Sequence, residues 1–213
     1  SGTVNRFVSD LKGGKDDSIK LLAVYTLGEV GRRVDLSDNK DLRKVVLAAF
    51  EDASEDVKTG ASVALGNIAI GNMGAVLPDI FTEIKAHPKK QYLLLGSLRE
   101  VIVRQSGTKG GVSALSTYFD QFLTVLFNNT QSEEEGTRNV VSECLGKLAL
   151  INPEKVIPAL RERIASDSPF TRGIVVTAIK FTIAEQPLPV DDVLKKEIAA
   201  FLEVLKDANI DVR

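Results

Sequence analysis

Residues 134–148 read EEGTRNVVSECLGKL. The stretch holds the chain's only cysteine, Cys144, with an Arg-Asn pair near its front and a Leu-Gly near its back. Cys144 is either a reactive thiol or one position in a unit that recurs along the chain. The first reading leads to an enzyme and the second to a scaffold. The rest of the sequence separates them.

Arg138, preceded by Thr137, marks a two-residue slot that returns as Ile19-Lys20, Val57-Lys58, Lys90-Gln91, Thr171-Arg172 and Val212-Arg213. The second residues of these pairs stand at 20, 58, 91, 138, 172 and 213, so the gaps are 38, 33, 47, 34 and 41. Two residues on come Leu22, Gly60, Leu93, Val140 and Ile174, and three on come Ala23, Ala61, Leu94, Val141 and Val175. Seven on come Leu27, Leu65, Leu98, Leu145 and Ile179, and ten on come Val30, Ile68, Val101, Leu148 and Thr182. Offsets of 2, 3, 7 and 10 trace one stripe of a helix with 3.6 residues per turn. The sixth offset holds Thr26, Ala64, Ser97, Cys144 and Ala178, all small. Cys144 therefore sits where every copy needs a compact side chain against a close neighbour, and there it behaves as a small hydrophobe.

A second, less regular apolar segment precedes each of these helices: Val4–Leu11, Asp41–Phe50, Val76–Lys85, Leu115–Phe127, Glu154–Ile164 and Val190–Leu205. Pro78 and Pro158 are expected in first turns, where a missing N–H leaves no helical bond unmade. Glycine, acidic and hydroxyl residues punctuate the joints, as helix caps require. The fold class expected is all-α: a HEAT-repeat α-solenoid (α-α superhelix) of about five helical hairpins plus a partial sixth. It is expected to form one continuous segment over 1–213, with repeats near 3–34, 38–72, 75–106, 113–152, 154–186 and 190–213, the last truncated.

Composition fits this reading. The 213 residues are 44% hydrophobic, 26% charged and only 6% aromatic, without tryptophan. A formal net charge of −2 provides no basic surplus for phosphates, so no nucleic-acid partner is expected. No apolar run approaches the roughly 20 residues of a membrane span, so no membrane partner is expected either. The opening SGTVNRFVSD is polar and predicts no signal peptide. A single cysteine suits a reducing compartment, and the expected location is cytoplasmic and nuclear.

Other candidate chemistry reduces to structure. His87 is the chain's only histidine and builds neither a metal cluster nor a triad with Cys144. The glycines of ALGNIAIGNMG (64–74) and GTKGG (107–111) match no phosphate loop, and are read as helix ends and turns in which Gly71 and Gly74 supply backbone freedom. The run Ser132-Glu133-Glu134-Glu135 complements a helix dipole. Lys20, Lys58, Arg138 and Arg172 are read as a ladder bonding the acidic turns of neighbouring repeats. No catalytic, cofactor-binding or metal residue is assigned, and no cofactor is expected.

Four stretches go beyond generic repeat packing: EEGTRNVVSECLGKLALINPEKVIPAL (134–160), VVTAIKFTIAEQPLP (175–189), KKQYLLLGSLREVIVRQS (89–106) and LGEVGRRVDLS (27–37). They closely resemble the cullin-associated, neddylation-dissociated protein family, and the resemblance runs from about residue 18 to 213. It implies a segment from the C-terminal half of a much longer HEAT solenoid, a non-enzymatic factor that wraps unmodified cullin–RING ubiquitin ligases and exchanges their substrate-receptor modules. It also implies that attachment of the ubiquitin-like modifier to the cullin excludes the factor. The later repeats that would carry adaptor-blocking elements are expected to lie outside this segment.

Contact is expected on the second helices, outside the apolar stripe, at Arg99, Asn139, Glu143, Lys147 and Lys180. Apolar faces at both ends of the stack predict self-association. The rival partner class is that of a HEAT-repeat nuclear-transport receptor or a phosphatase scaffold. An enzyme using Cys144 as nucleophile is the third reading, and it requires an accessible thiol.

Overall fold

A computed structural model describes residues 2–183 and 188–213. Among these residues every regular element is helical, in the order α1 (Gly2–Gly13), α2 (Asp17–Arg33), α3 (Lys40–Ala48), α4 (Glu55–Gly71), α5 (Met73–Ala86), α6 (Gln91–Ser106), α7 (Lys109–Ser116), α8 (Phe119–Asn128), α9 (Glu135–Ile151), α10 (Pro153–Glu162), α11 (Pro169–Lys180) and α12 (Val190–Leu202). Single 3-10 turns extend α3, α10 and α12. No described helix is long and apolar enough to cross a membrane.

The chain divides at Val101/Ile102, within α6, into two compact units. In the first, α2 lies along α4, and α1 packs on α2 and on α3. In the second, α9 lies along α11 while α10 packs on α12 and α9. Within each unit, second helices therefore stack on second helices and first helices on first. The shared stripe is the core: Leu27, Leu65, Leu98, Leu145 and Leu148 are almost wholly buried.

The sixth-offset rule has a geometric cause that includes a residue two further on. Gly28, Gly66 and Gly146 each stand eight residues after an anchor. A Cβ at Gly28 would lie 2.9 Å from the Cα of Ala64, one at Gly66 2.5 Å from the carbonyl oxygen of Ser97, and one at Gly146 2.7 Å from that of Ala178. In these three pairs, α2 with α4, α4 with α6 and α9 with α11, the eighth offset of one helix meets the sixth offset of the next and leaves no room for bulk. Cys144 holds the sixth offset of α9 and is fully buried.

Four local expectations need correction. Pro78 and Pro158 lie in second turns, because the capping residues Asn72 and Asn152 stand six residues ahead of them. Each asparagine closes one helix and opens the next: Asn72 accepts from the Ala75 N–H at 3.1 Å and Asn152 from the Lys155 N–H at 3.2 Å. The segment Leu115–Phe127 is two helices, broken where the Tyr118 N–H turns back to the Leu115 carbonyl at 3.0 Å. GTKGG opens α7 rather than ending a helix, with Thr108 accepting from the Gly111 N–H at 3.0 Å. Gly71 and Gly74 supply no unusual backbone, since no described glycine has positive φ. Gly71 is needed for proximity instead: a Cβ there would fall 1.9 Å from the Gly31 carbonyl oxygen. The expected limit of the fifth repeat, at 186, lies outside the described residues.

Candidate protein-binding face

The turns entering the second helices are fastened by the anchor cations. Arg138 donates from Nη1 to the carbonyls of Ser132 and Glu133, both at 2.8 Å. Arg172 does the same to Ser166 at 2.8 Å and Asp167 at 3.1 Å, and adds a two-point bond to Asp207 at 2.6 and 3.0 Å. Lys20 reaches Asp52 at 2.7 Å. The ladder between repeats is therefore present where the receiving turn offers an aspartate. Asp52 and Asp207 fill that place, each also accepting from the N–H two residues on. The turn after Arg138 offers Ser166, and Arg138 instead stacks on Phe170, 4.2 Å from the ring centroid. Lys58 bonds Glu55 of its own helix, not a neighbouring turn.

These bonds set the local electrostatics. The hydrogen bond from Lys20 holds the Asp52 carboxyl below the usual range, aided by the Ser54 N–H, while Asp52 raises Lys20. The hydrogen bond from Arg172 lowers Asp207 in the same way. On α2, hydrogen bonds from Arg32 and then Arg33 lower Glu29.

Asn139, Glu143 and Lys147 recur every four residues and form one row along α9, with Asn139 exposed and the other two half-buried. Asn139 also lines a shallow groove between α9 and α11, with Ser142, Phe170, Gly173 and Thr177. A Cβ at Gly173 would meet nothing within 4 Å, so the groove floor is open there. Lys180 is exposed at the end of α11 and does not line the groove. Arg99 belongs to α6 of the first unit and is half-buried.

The residues at which contact is expected include none from the first repeat. The offsets of Glu143 and Lys147, five and nine after the anchor, fall in α2 on Tyr25 and Glu29, and Arg33 continues that row. Tyr25 is exposed, and Glu29 and Arg33 line a shallow depression beside it. The offset of Asn139 falls on the exposed Tyr92 of α6. Carrying the same offsets through every copy yields Tyr25, Glu29 and Tyr92 as further outward-facing residues. Cys144 is 0% exposed, which denies a substrate access to its sulfur. Among the described residues, no three His, Cys, Asp or Glu side chains gather into a metal-binding group.

No family model matches the chain. It is 46% identical, over all of its length, to 18% of the cullin-associated NEDD8-dissociated protein 1 of Arabidopsis thaliana. It is 39% identical over its full length to 17% of cullin-associated NEDD8-dissociated protein 2 of Mus musculus. With the cullin-associated NEDD8-dissociated protein 1, C-terminal part, of Emericella nidulans it shares 32% identity over 96% of this chain and 19% of that one. The chain thus spans less than a fifth of each of these relatives. Among solved structures it resembles an engineered protein (TM-score 0.51, 18% identity, 98% of this chain and 93% of that one). It also resembles a designed armadillo repeat protein (TM-score 0.50, 18% identity, 98% and 94%). These likenesses bear on fold alone, and with the stacked hairpins they place the chain in the armadillo/HEAT class of α-solenoids.

Proposed function

On the premise that this chain is homologous, from end to end, to one segment of the cullin-associated NEDD8-dissociated proteins, we propose that it is a non-enzymatic scaffold segment of a cullin-binding exchange factor. Its partner is a cullin–RING ubiquitin ligase without the ubiquitin-like modifier, and its working compartments are the cytoplasm and the nucleus. The observation that carries this reading is identity of 46% along the whole chain to a relative named for cullin association.

The architecture supports it. Within each unit the stacked hairpins offer a row of second-helix side chains on a packed core, which suits binding a protein rather than enclosing a small molecule. Asn139, Glu143, Lys147 and Lys180 in one unit, and Arg99, Tyr25 and Tyr92 in the other, are the contact residues of this reading. Tyrosine and arginine are the side chains most often dominant in interface energetics. Exchange follows if scaffold and receptor module each lower the other's affinity for the cullin, a coupling that is reciprocal by thermodynamic necessity.

Size-exclusion of the chain mixed with a cullin–RING complex tests this. The expected result is co-elution with the unmodified complex and separation from the neddylated one. Lys147→Glu combined with Lys180→Glu should weaken co-elution. Failure to co-elute, or equal retention of the neddylated complex, would overturn the reading.

A further inference from the structure

Four turns are built around the residue six before an anchor: Asp52, Ser132, Ser166 and Asp207. Each accepts from the N–H two residues on, those of Ser54, Glu134, Ser168 and Asn209. An aspartate has two oxygens to divide between its own turn and the preceding anchor. Asp52 takes Lys20 at 2.7 Å, and Asp207 takes Nε and Nη2 of Arg172 at 2.6 and 3.0 Å. Ser166 has one oxygen, already accepting from the Ser168 N–H at 3.2 Å, and offers the preceding anchor no negative charge.

Arg138 is that preceding anchor. Like Arg172, it donates from Nη1 to the two carbonyls of its own turn. Among the described residues its Nε and Nη2 make no hydrogen bond, and the guanidinium rests on the Phe170 ring. The edge that grips Asp207 in Arg172 is thus idle in Arg138, in the copy whose receiving turn carries serine in place of aspartate. A phosphate monoester on Ser166 Oγ would supply three further oxygens, in the geometry that a planar guanidinium pairs with at two points.

The surroundings of Ser166 carry the charge pattern that serine kinases with an acidic substrate groove select, because Arg161 and Arg163 stand five and three residues before it. Ser132, in the equivalent place, has no cation among the five residues before it and is followed by Glu133, Glu134 and Glu135, which repel a phosphate. Ala165 and Asp167 are exposed, and α10 ends in a single 3-10 turn, a kind of helix end that frays. Opening that turn frees Arg163 from the Phe127 ring, on which it rests at 3.5 Å.

From this we propose that Ser166 is a phosphorylation site, whose phosphate completes the ladder by pairing with Nε and Nη2 of Arg138. In the transfer, the Ser166 hydroxyl oxygen bonds the γ-phosphorus of ATP as the bond from that phosphorus to the bridging oxygen breaks. ADP leaves, and the hydroxyl proton passes to the kinase's catalytic base. The modification fastens the start of α9 to the turn between α10 and α11, and it stands whether or not the partner is a cullin–RING complex.

Two measurements test this. The whole chain is incubated with ATP and an arginine-directed serine kinase, and its phosphate is mapped by mass spectrometry. One phosphate is expected, at Ser166, lost in Ser166→Ala and kept in Ser168→Ala. In the second, phosphoserine is installed at position 166 during synthesis. The melting temperature should rise by about 2–4 °C over the unmodified chain. The second pKa of the phosphate, followed by phosphorus NMR, should lie below its usual value of about 6. Arg138→Gln should remove the rise in melting temperature and return the phosphate's titration toward that value. Ser166→Asp, which copies Asp52 and Asp207, should give a smaller rise that Arg138→Gln also removes. Absence of phosphate at Ser166, a phosphorylated chain that melts no higher, or a rise that survives Arg138→Gln would each overturn the proposal.

Discussion

Two glycines set the residue scale because their surroundings are opposite. Gly146 lies against the backbone of Ala178, whereas Gly173 faces open space. Gly146→Ala should destabilise by about 1–3 kcal/mol through forced separation of α9 and α11. Gly173→Ala should be neutral or stabilise by up to about 1 kcal/mol, because alanine restricts the unfolded chain and fits the helix. Chemical denaturation of the two variants checks both, and similar losses from both would contradict the close approach. Cys144→Phe should likewise cost about 1–3 kcal/mol or more from overpacking, a lower melting temperature being the readout. The small slot was visible in the sequence as Thr26, Ala64, Ser97, Cys144 and Ala178, because tight packing restricts what each position accepts. Its counterpart, the glycine two residues further on, was visible only as a repeated Leu-Gly. Periodicity shows which residues face a core; it does not show which atoms of the neighbour come nearest.

At the scale of elements, caps and turns decide where helices start. The apolar stripe predicted the second helices well, since α2, α4, α9 and α11 each begin three residues before their anchors and α6 begins at its own. It placed the start of α5 less well, because a cap is a polar event outside any hydrophobic pattern. Asn152→Ala should cost about 1 kcal/mol, measured by thermal or chemical unfolding. The turn aspartates add a pH dependence. Asp52 and Asp207 have folded-state pKa values below their unfolded values. Their stabilisation is therefore complete above the unfolded value of about 3.9 and is lost as pH falls through the lower folded value. Lys20 has the opposite sign: its contribution holds below the unfolded pKa near 10.4 and disappears as pH rises through the raised folded one. Melting temperature followed against pH should fall at the acid end, and Asp52→Asn should flatten that limb. An unchanged acid limb in Asp52→Asn would show that the Lys20 pair contributes nothing to folding.

For the whole molecule, the repeat architecture implies that stability is a sum over neighbours. A core lesion in one unit should therefore loosen that unit first. In hydrogen exchange, Leu145→Ala, expected to cost about 2–5 kcal/mol, should speed amide exchange across α9 and α11 far more than across α2 and α4. Uniform acceleration along the chain would argue instead for one cooperative block. The outward-facing row of the second helices was partly readable in sequence, because outward-facing residues are those the stripe leaves over. Its extension to Tyr25 and Tyr92 was missed because aromatic residues at those offsets look like core until their exposure is known. Asn72 and Asn152 each join two helices with a single residue, leaving no slack at either junction. One added residue there would turn the following helix by about 100° relative to its partners. Insertions and deletions that distinguish this chain from its relatives should accordingly collect in the longer connections, at 34–39 and 129–134, and spare positions 72 and 152.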